Sequence, residues 1–243
     1  MEAFWIITVA VLWGVGAGLL IPRAAYRLSV PPDEPWRAAC PAGHPLAGAG
    51  NGWLGRALCA DGDSYGPSTP VLAAVSAAAC AVLAAAMGAR PELAVWLLLV
   101  PIGVLLAVVD FAVHRLPDVV TLPFAAITLV LLGAATQLPG ADGSWTTALL
   151  GSLALGASYF VLFLLTPQSF GFGDVKLALS LGAVLGWYGW GTVLVGTFAG
   201  YLVGALYGIA LIHAGRAGRK ARIPFGPSLL VGAFISVLLG CHV

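Results

Sequence analysis

Eight long apolar stretches, separated by polar connections, restrict this chain more than any other feature of its sequence. A helix needs about 20 apolar residues to cross the hydrocarbon core of a bilayer. The chain is 60% hydrophobic and only 9% charged, which excludes an ordinary soluble domain. We therefore predict an all-α, polytopic protein in a lipid bilayer, with about eight transmembrane helices at residues 4–22, 71–89, 93–110, 119–138, 146–166, 175–190, 192–213 and 226–241.

The positive charges predict the orientation of these helices. With the amino terminus outside, one side of the membrane holds ten of the eleven Lys and Arg residues, and only Arg90 lies opposite. Connections rich in Lys and Arg face the cytosol. We therefore expect an inner (plasma) membrane protein, and the net charge of +1 gives no sign of nucleic-acid binding. The ten cytosolic cations are Arg23, Arg27, Arg37, Arg56, Arg115, Lys176, Arg216, Arg219, Lys220 and Arg222.

One segment, residues 23–70, breaks the membrane pattern because it is rich in Pro, Gly and small polar residues. This composition indicates a compact or partly disordered cytosolic insertion. We predict a first transmembrane anchor at 1–22, the insertion at 23–70 and a membrane domain at 71–243.

Most of the ten acidic residues have an ordinary explanation as solvated charges. Three remain at the cytosolic edge of apolar runs, and ionisable residues at such positions are functional candidates. These are Asp110, Asp118 and Asp174, whereas Glu2, Glu92 and Asp142 fall on the outer side and Asp33, Glu34, Asp61 and Asp63 in the insertion.

Asp110 ends one apolar run and Asp174 begins another, so the predicted topology brings both to the same edge of the bilayer. Two carboxylates a few ångströms apart do not both ionise easily, so that one acts as a base and the other as an acid. Such a pair can take a proton from water as it attacks a peptide carbonyl. This is the chemistry of an aspartic protease.

Neighbouring residues support or compete with this interpretation. Gly171 and Gly173 remove side chains beside Asp174 and permit unusual backbone angles, although Asp174 is also well placed simply to cap a helix. Asp118 follows a proline at the start of the next apolar run, which favours a capping or supporting role. For Lys176 we favour a side chain that extends to the interface, with an electrostatic effect on the pair as the alternative.

Three ordered motifs resemble those of the prepilin peptidases, or type IV leader peptidases, of the G-x-G-D membrane aspartyl protease group. They are DFAVHRLPDVVTLP (110–123), FGFGDVKLALSLGAVLGW (170–187) and RIPFGPSLLVGAFI (222–235), and GLLIPRAAYRL (18–28) resembles the end of the family's first span. The resemblance implies that Asp110 and Asp174 are catalytic. It also implies a cytosolic cut in the leader of prepilins or pseudopilins, the substrates of type IV pilus assembly and protein secretion.

The insertion departs from the family pattern. Many members have two C-x-x-C pairs here, with the spacing of a zinc site, and methylate the new amino terminus with S-adenosylmethionine. This chain has CPAG (40–43) and CADG (59–62), each with one cysteine. Two thiolates do not complete a four-ligand site. His44, Asp61 or Asp63 could add ligands, and Cys40, His44 and Cys59 are the metal candidates. However, we favour a loop with two reduced cysteines, expect neither zinc nor S-adenosylmethionine, and leave methylation open.

Two other classes of function fit part of the sequence. A small proton-coupled transporter would use Asp110 and Asp174 as proton relays, but such sites lie near the middle of the membrane and the chain has no internal repeat. An assembly factor would use the insertion to bind partners. Proteolysis, for which no cofactor is required, remains the prediction.

Overall fold

The computed structural model describes residues 1–167, 171–216 and 223–240, and this part of the chain is helical without any β-strand. Predictions that fall on Phe170, Arg219, Lys220, Arg222 and Cys241 lie outside the described residues. The helices are α1 (Glu2–Leu28), α2 (Ala49–Gly52), α3 (Thr69–Met87), α4 (Pro91–Val113), α5 (Asp118–Ala135), α6 (Trp145–Leu165), α7 (Phe172–Gly186), α8 (Trp190–His213) and α9 (Gly226–Gly240).

Each predicted apolar stretch forms a helix, which confirms the all-α prediction for a multi-pass membrane protein. Six helices, α1, α3, α4, α5, α6 and α8, are long and apolar enough to cross a membrane. The other two, α7 and α9, have 15 residues each. At 1.5 Å per residue they are about 22 Å long, less than the roughly 30 Å of a hydrocarbon core.

The first of two compact units contains Met1–Ala89 and Trp96–Val113. In this unit α1 packs closely on α3 because glycines of α1 face α3. A Cβ at Gly18 would lie 2.6 Å from the Cα atom of Ala73. The indole nitrogen of Trp13 donates a hydrogen bond to the carbonyl oxygen of Leu97 at 2.7 Å. Helix α1 continues to Leu28, past the predicted end of the span at residue 22.

The segment between α1 and α3 is compact, although α2 is its only helix. Arginines of α1 and of the segment itself donate to backbone carbonyl oxygens and so attach it to the end of α1. Arg23 donates to Ala47 at 2.7 Å and Arg37 donates to Tyr26 at 2.9 Å. A small core forms beneath these contacts from Cys40, Ala57 and Tyr65, with Tyr26, Leu46 and Cys59 packed against it.

The second unit contains Arg90–Val95 and the chain from His114 onward, and α7 lies at its centre. Helices α5, α6, α8 and α9 all contact α7. Glycines again permit close approach of backbones: a Cβ at Gly182 would lie 2.3 Å from the carbonyl oxygen of Gly151 on α6. Between α8 and α9, a Cβ at Gly232 would lie 2.2 Å from the backbone nitrogen of Gly200. Small residues have the same role between other membrane helices, where they let the backbones approach closely.

Glu92 is not the solvated surface charge that its position near the outer end of a predicted span suggested. The residue is 0% exposed, and neither carboxylate oxygen has a hydrogen-bond partner among the described residues. By contrast, Asp142 is a largely exposed acid, and it pairs with Arg90 at 2.8 Å. The first turn of α4, which contains Glu92, belongs to the second unit.

Candidate functional site

Asp174 lies in the first turn of α7 and is buried, with 8% of its surface exposed. Its Oδ2 atom accepts a hydrogen bond from the backbone nitrogen of Gly171 at 3.0 Å. In return, the nitrogen of Asp174 donates to the carbonyl oxygen of Gly171, also at 3.0 Å. Asp174 therefore does contribute to the start of its helix. A carboxylate offers about four acceptor positions, so this bond leaves it capacity for chemistry.

Of the two glycines beside Asp174, only Gly173 is needed for space, and neither has an unusual backbone angle. Gly171 has φ −81° and ψ 149°, which any residue can adopt, and Gly173 is not among the glycines with positive φ. The prediction that they supply backbone angles closed to other residues is therefore wrong. A Cβ at Gly173 would lie 2.9 Å from the Cβ atom of Leu116, so glycine allows α7 to begin directly against the residues that precede α5.

Asp118 and Lys176 form an ion pair between the first turns of α5 and α7. The Nζ atom of Lys176 lies 2.6 Å from Oδ1 of Asp118, and 4.6 Å from the centre of the Phe172 ring. The Lys176 side chain is 13% exposed, so the prediction that it extends into interfacial water is wrong. Asp118 makes no N-terminal cap with its side chain, because Pro117 holds that position. The pair joins the start of α7 to the start of α5.

Asp110 lies in the last turn of α4, in the first unit, and is 4% exposed. Helix α4 ends at Val113, and the next residue, His114, has φ 50°, an uncommon left-handed conformation outside glycine. The boundary between the two units falls between Val113 and His114. Each aspartate is thus a buried acid at the end of a helix.

A second cluster of reactive side chains lies in the segment between α1 and α3. The ligand atoms of Cys40, His44 and Cys59 all lie within 4.8 Å of one another. Burial opposes ionisation of Cys40, but hydrogen bonds from Cys59 and from the backbone at His44 and Ala42 outweigh it and lower the pKa of Cys40 to about 7. The pKa of Cys59 is raised, first by its hydrogen bond with Cys40.

Sequence reasoning did not identify two residues that shape the start of α7. Leu116 fills the space left by Gly173, and the ring of Phe172 lies beneath the ammonium group of Lys176. Phe172 and Lys176 are four residues apart, which places them on one helix face, and this spacing could have indicated their contact. For Leu116 no local pattern existed, because it lies in the connection before α5 and contacts α7, which is distant along the chain.

Comparison with known proteins assigns the chain to a family. The sequence profile of the type IV leader peptidase family matches residues 97–209, a range that includes Asp110, Asp118 and Asp174. A protein of Aeromonas hydrophila named prepilin leader peptidase/N-methyltransferase is 33% identical over 234 residues, which cover 90% of this chain and 76% of that protein. The chain belongs to the type IV leader peptidase family. The predicted resemblance to this family is thereby confirmed.

Other members of the type IV leader peptidase family match a shorter region. Proteins with the same name from Aeromonas salmonicida and Bacillus subtilis are 36% identical over 147 residues and 31% identical over 137 residues. These matches cover 59% and 56% of this chain, and 48% and 52% of the two relatives. The chain therefore spans about half the length of these relatives. No solved structure matches the chain significantly.

Proposed function

We propose that this member of the type IV leader peptidase family is a membrane-embedded aspartic endopeptidase that cleaves the leader from prepilin-like or pseudopilin precursors. In this proposal Asp110 and Asp174 are the catalytic residues, and residues 71–243 carry the peptidase. The cut is made at the cytosolic face of the inner membrane. Proteolysis by two carboxyl groups requires no cofactor.

The burial of Asp174 at the head of α7 is the observation that carries the proposal. Ionisable residues within apolar segments are expensive, and they are retained where they have a function. Asp174 is 8% exposed and begins a helix whose following residues are nearly all buried. Asp110 is 4% exposed at the end of an apolar helix. Both lie within the range matched by the family profile.

The proposed reaction uses the two carboxyl groups in different protonation states. One ionised carboxylate takes a proton from water, and the oxygen of that water forms a bond with the carbonyl carbon of the peptide. The other, protonated carboxyl group gives its proton to the carbonyl oxygen. When the tetrahedral intermediate breaks, the C–N bond is cleaved and the leaving amine receives a proton from the site. Two interacting carboxyl groups titrate as a pair, which favours this division of roles.

The Asp118–Lys176 ion pair and Gly173 have supporting roles in this mechanism. They hold the first turn of α7 against the start of α5, through the 2.6 Å contact of the ion pair and the close packing on Leu116. Because Asp174 is in that turn, its carboxylate is held by the same contacts.

Cleavage of a prepilin by the full chain, purified in detergent, tests the proposal. Asp110→Asn and Asp174→Asn are each expected to abolish cleavage, measured as the change in mass of the precursor. Asp33→Asn is the matched control, because Asp33 is exposed in the segment after α1 and its φ of 71° suits asparagine. Full activity of the Asp110→Asn/Asp174→Asn double variant would disprove the assignment. Intact mass of the product also reports whether a methyl group is added.

Cross-linking tests separately whether the two carboxylates act as a pair. In a chain whose native cysteines are replaced, Asp110→Cys and Asp174→Cys are introduced together. A disulfide requires the two Cα atoms to approach within about 7 Å. Rapid oxidation to an intramolecular disulfide is expected. If each single Asn variant is inactive but no disulfide forms, the two acids act separately and the shared mechanism is wrong.

A further inference from the structure

The segment between α1 and α3 meets α1 at the edge of the membrane. On α1 the exposed large apolar side chains end at Leu20, and the first cation of the chain, Arg23, follows three residues later. The hydrocarbon core therefore ends near these residues, because a charged side chain within it is costly. The nitrogen of Gly55 donates to the carbonyl oxygen of Leu20, and its own carbonyl oxygen accepts from the nitrogen of Arg23, each at 3.2 Å. Gly55 thus lies at the depth of the lipid headgroups.

A group of large apolar side chains lies directly beside Gly55. Trp53 and Trp36 pack edge to face, with their ring centres 5.2 Å apart. Trp36 is 44% exposed, and Leu54, which joins Trp53 to Gly55, is 43% exposed. We call Trp36, Trp53 and Leu54 the tryptophan patch. Apolar side chains that remain exposed as a group mark a surface that contacts a partner or a membrane.

The arginines at the end of α1 suit a headgroup region. The guanidinium carbon of Arg27 lies 4.1 Å from the centre of the Trp53 ring. Neither Arg23 nor Arg27 forms an ion pair with an acid within the described ranges. Tryptophan is enriched where a membrane meets water, and arginine there can contact lipid phosphate.

Net charge does not draw the segment to lipid, because residues 23–70 hold four arginines and four acids. The contact must therefore come from the apolar side chains and from their depth. A short surface element that buries tryptophan and leucine at the boundary between headgroups and acyl chains binds a membrane in this way.

We propose that the tryptophan patch inserts into the headgroup region of the bilayer that α1 crosses, on the side where α1 ends. Trp36 and Leu54 contact the upper parts of the acyl chains, and Arg27 lies among the phosphates. Lipid is the occupant because Gly55 fixes the patch at the depth of Leu20, where a soluble partner would first have to displace lipid. The contact holds the segment against the membrane and does not depend on the reaction proposed for the peptidase.

Quenching of Trp36 fluorescence in the full chain tests this proposal. The chain is placed in nanodiscs of phosphatidylcholine, either unmodified or brominated high on the acyl chains, and iodide is the quencher from water. The contribution of Trp36 is the difference between the parent and Trp36→Phe, a change that keeps a ring beside Trp53. This difference should lose most of its intensity to bromine and little to iodide. Trp5→Phe gives the lipid reference and Trp187→Phe the buried one, since these residues are 63% and 1% exposed.

A charge within the patch provides a second measurement. Leu54→Asp should make the Trp36 contribution sensitive to iodide, because a carboxylate at the boundary of the acyl chains is costly and lifts the patch toward water. Ala42→Asp is the matched control, because it adds the same charge at an exposed position of the segment outside the patch. It should leave the quenching as in the parent.

The other results would overturn the proposal. Quenching of Trp36 by iodide and not by bromine would show that the patch faces water. Protection from both quenchers would show that protein covers it, for example a second copy of the chain. Equal effects of Leu54→Asp and Ala42→Asp in folded protein, verified by size-exclusion chromatography, would also contradict lipid contact. If Leu54→Asp does not fold, the measurement on the parent and Trp36→Phe decides alone.

Discussion

The contact between Gly151 and Gly182 sets how closely α6 approaches α7, and Gly182→Ala tests it directly. A Cβ at residue 182 would lie 2.3 Å from the carbonyl oxygen of Gly151, whereas ordinary contact begins at 3.4 Å. The obstacle is backbone and cannot rotate away. The two helices must therefore separate locally by about 1 Å, the kind of overpacking that costs about 1–3 kcal/mol.

The higher helix propensity of alanine acts in the opposite direction to this clash, so Gly182→Ala requires a control. Alanine is favoured over glycine within a helix by about 1 kcal/mol. Gly16→Ala provides this gain without the clash, because a Cβ there has no atom within 4 Å. The two variants should therefore differ by about 1–3 kcal/mol in the free energy of unfolding. For a chain of this size that corresponds to about 2–4 °C in melting temperature per kcal/mol.

Thermal unfolding in detergent, with both variants measured beside the parent chain, decides the outcome. Gly16→Ala should be as stable as the parent or more stable, and Gly182→Ala less stable. Because α7 also carries Asp174, prepilin cleavage by Gly182→Ala should fall by up to about 100-fold, the loss typical of a 1 Å misplacement. If Gly182→Ala is as stable as Gly16→Ala, the close backbone contact between α6 and α7 is not present.

Three smaller perturbations test other contacts. Asp118→Asn should destabilise the chain more than Lys176→Met, because it leaves a 13% exposed ammonium group without its 2.6 Å partner. A double-mutant cycle of Asp118→Asn and Lys176→Met should give a coupling free energy of only about 0.5–1 kcal/mol, since the Asp118 side chain is 65% exposed. Zero coupling would contradict the ion pair. Glu92→Met should stabilise the chain by about 1–3 kcal/mol in thermal unfolding, because it removes a buried carboxylate that has no hydrogen-bond partner among the described residues. A loss of stability would contradict this expectation. Ser144→Ala should lower the free energy of unfolding by about 0.5–1 kcal/mol, because the Ser144 side chain caps α6 by accepting a hydrogen bond from the backbone nitrogen of Thr147. Ser68→Ala should be neutral, because the side chain of Ser68 makes no capping bond. Equal effects of the two substitutions would show that the cap at Ser144 contributes nothing.

The helices were predictable because apolar runs of about 20 residues have few alternatives in a bilayer. Their ends were less predictable. Helix α1 continues to Leu28 because the polar arginines near its end find backbone carbonyl partners in the following segment. Helix α7 was expected to start at residue 175 and instead starts at Phe172, which places Asp174 within its first turn.

The candidate site was predictable as a set of residues but not as a set of contacts. Asp110, Asp118 and Asp174 stood out because they are the acids at the predicted cytosolic edge of apolar runs. The environment of Glu92 and the ion pair of Lys176 depend on which helices become neighbours, and one sequence does not contain that information. Likewise, the sequence offered His44, Asp61 and Asp63 as possible ligands beside the thiols of Cys40 and Cys59, but only the folded turns bring His44 to those thiols.

The burial of α7 has a consequence for how the chain enters the membrane during synthesis. From residue 180 to residue 187 every residue is buried by α5, α6, α8 or α9, so neighbouring protein and not lipid surrounds most of this helix. A short segment that begins with an aspartate and a lysine is a poor substrate for independent insertion by a translocon. We therefore expect α7 to leave the translocon together with α6, as a helical hairpin closed at Gly151 and Gly182.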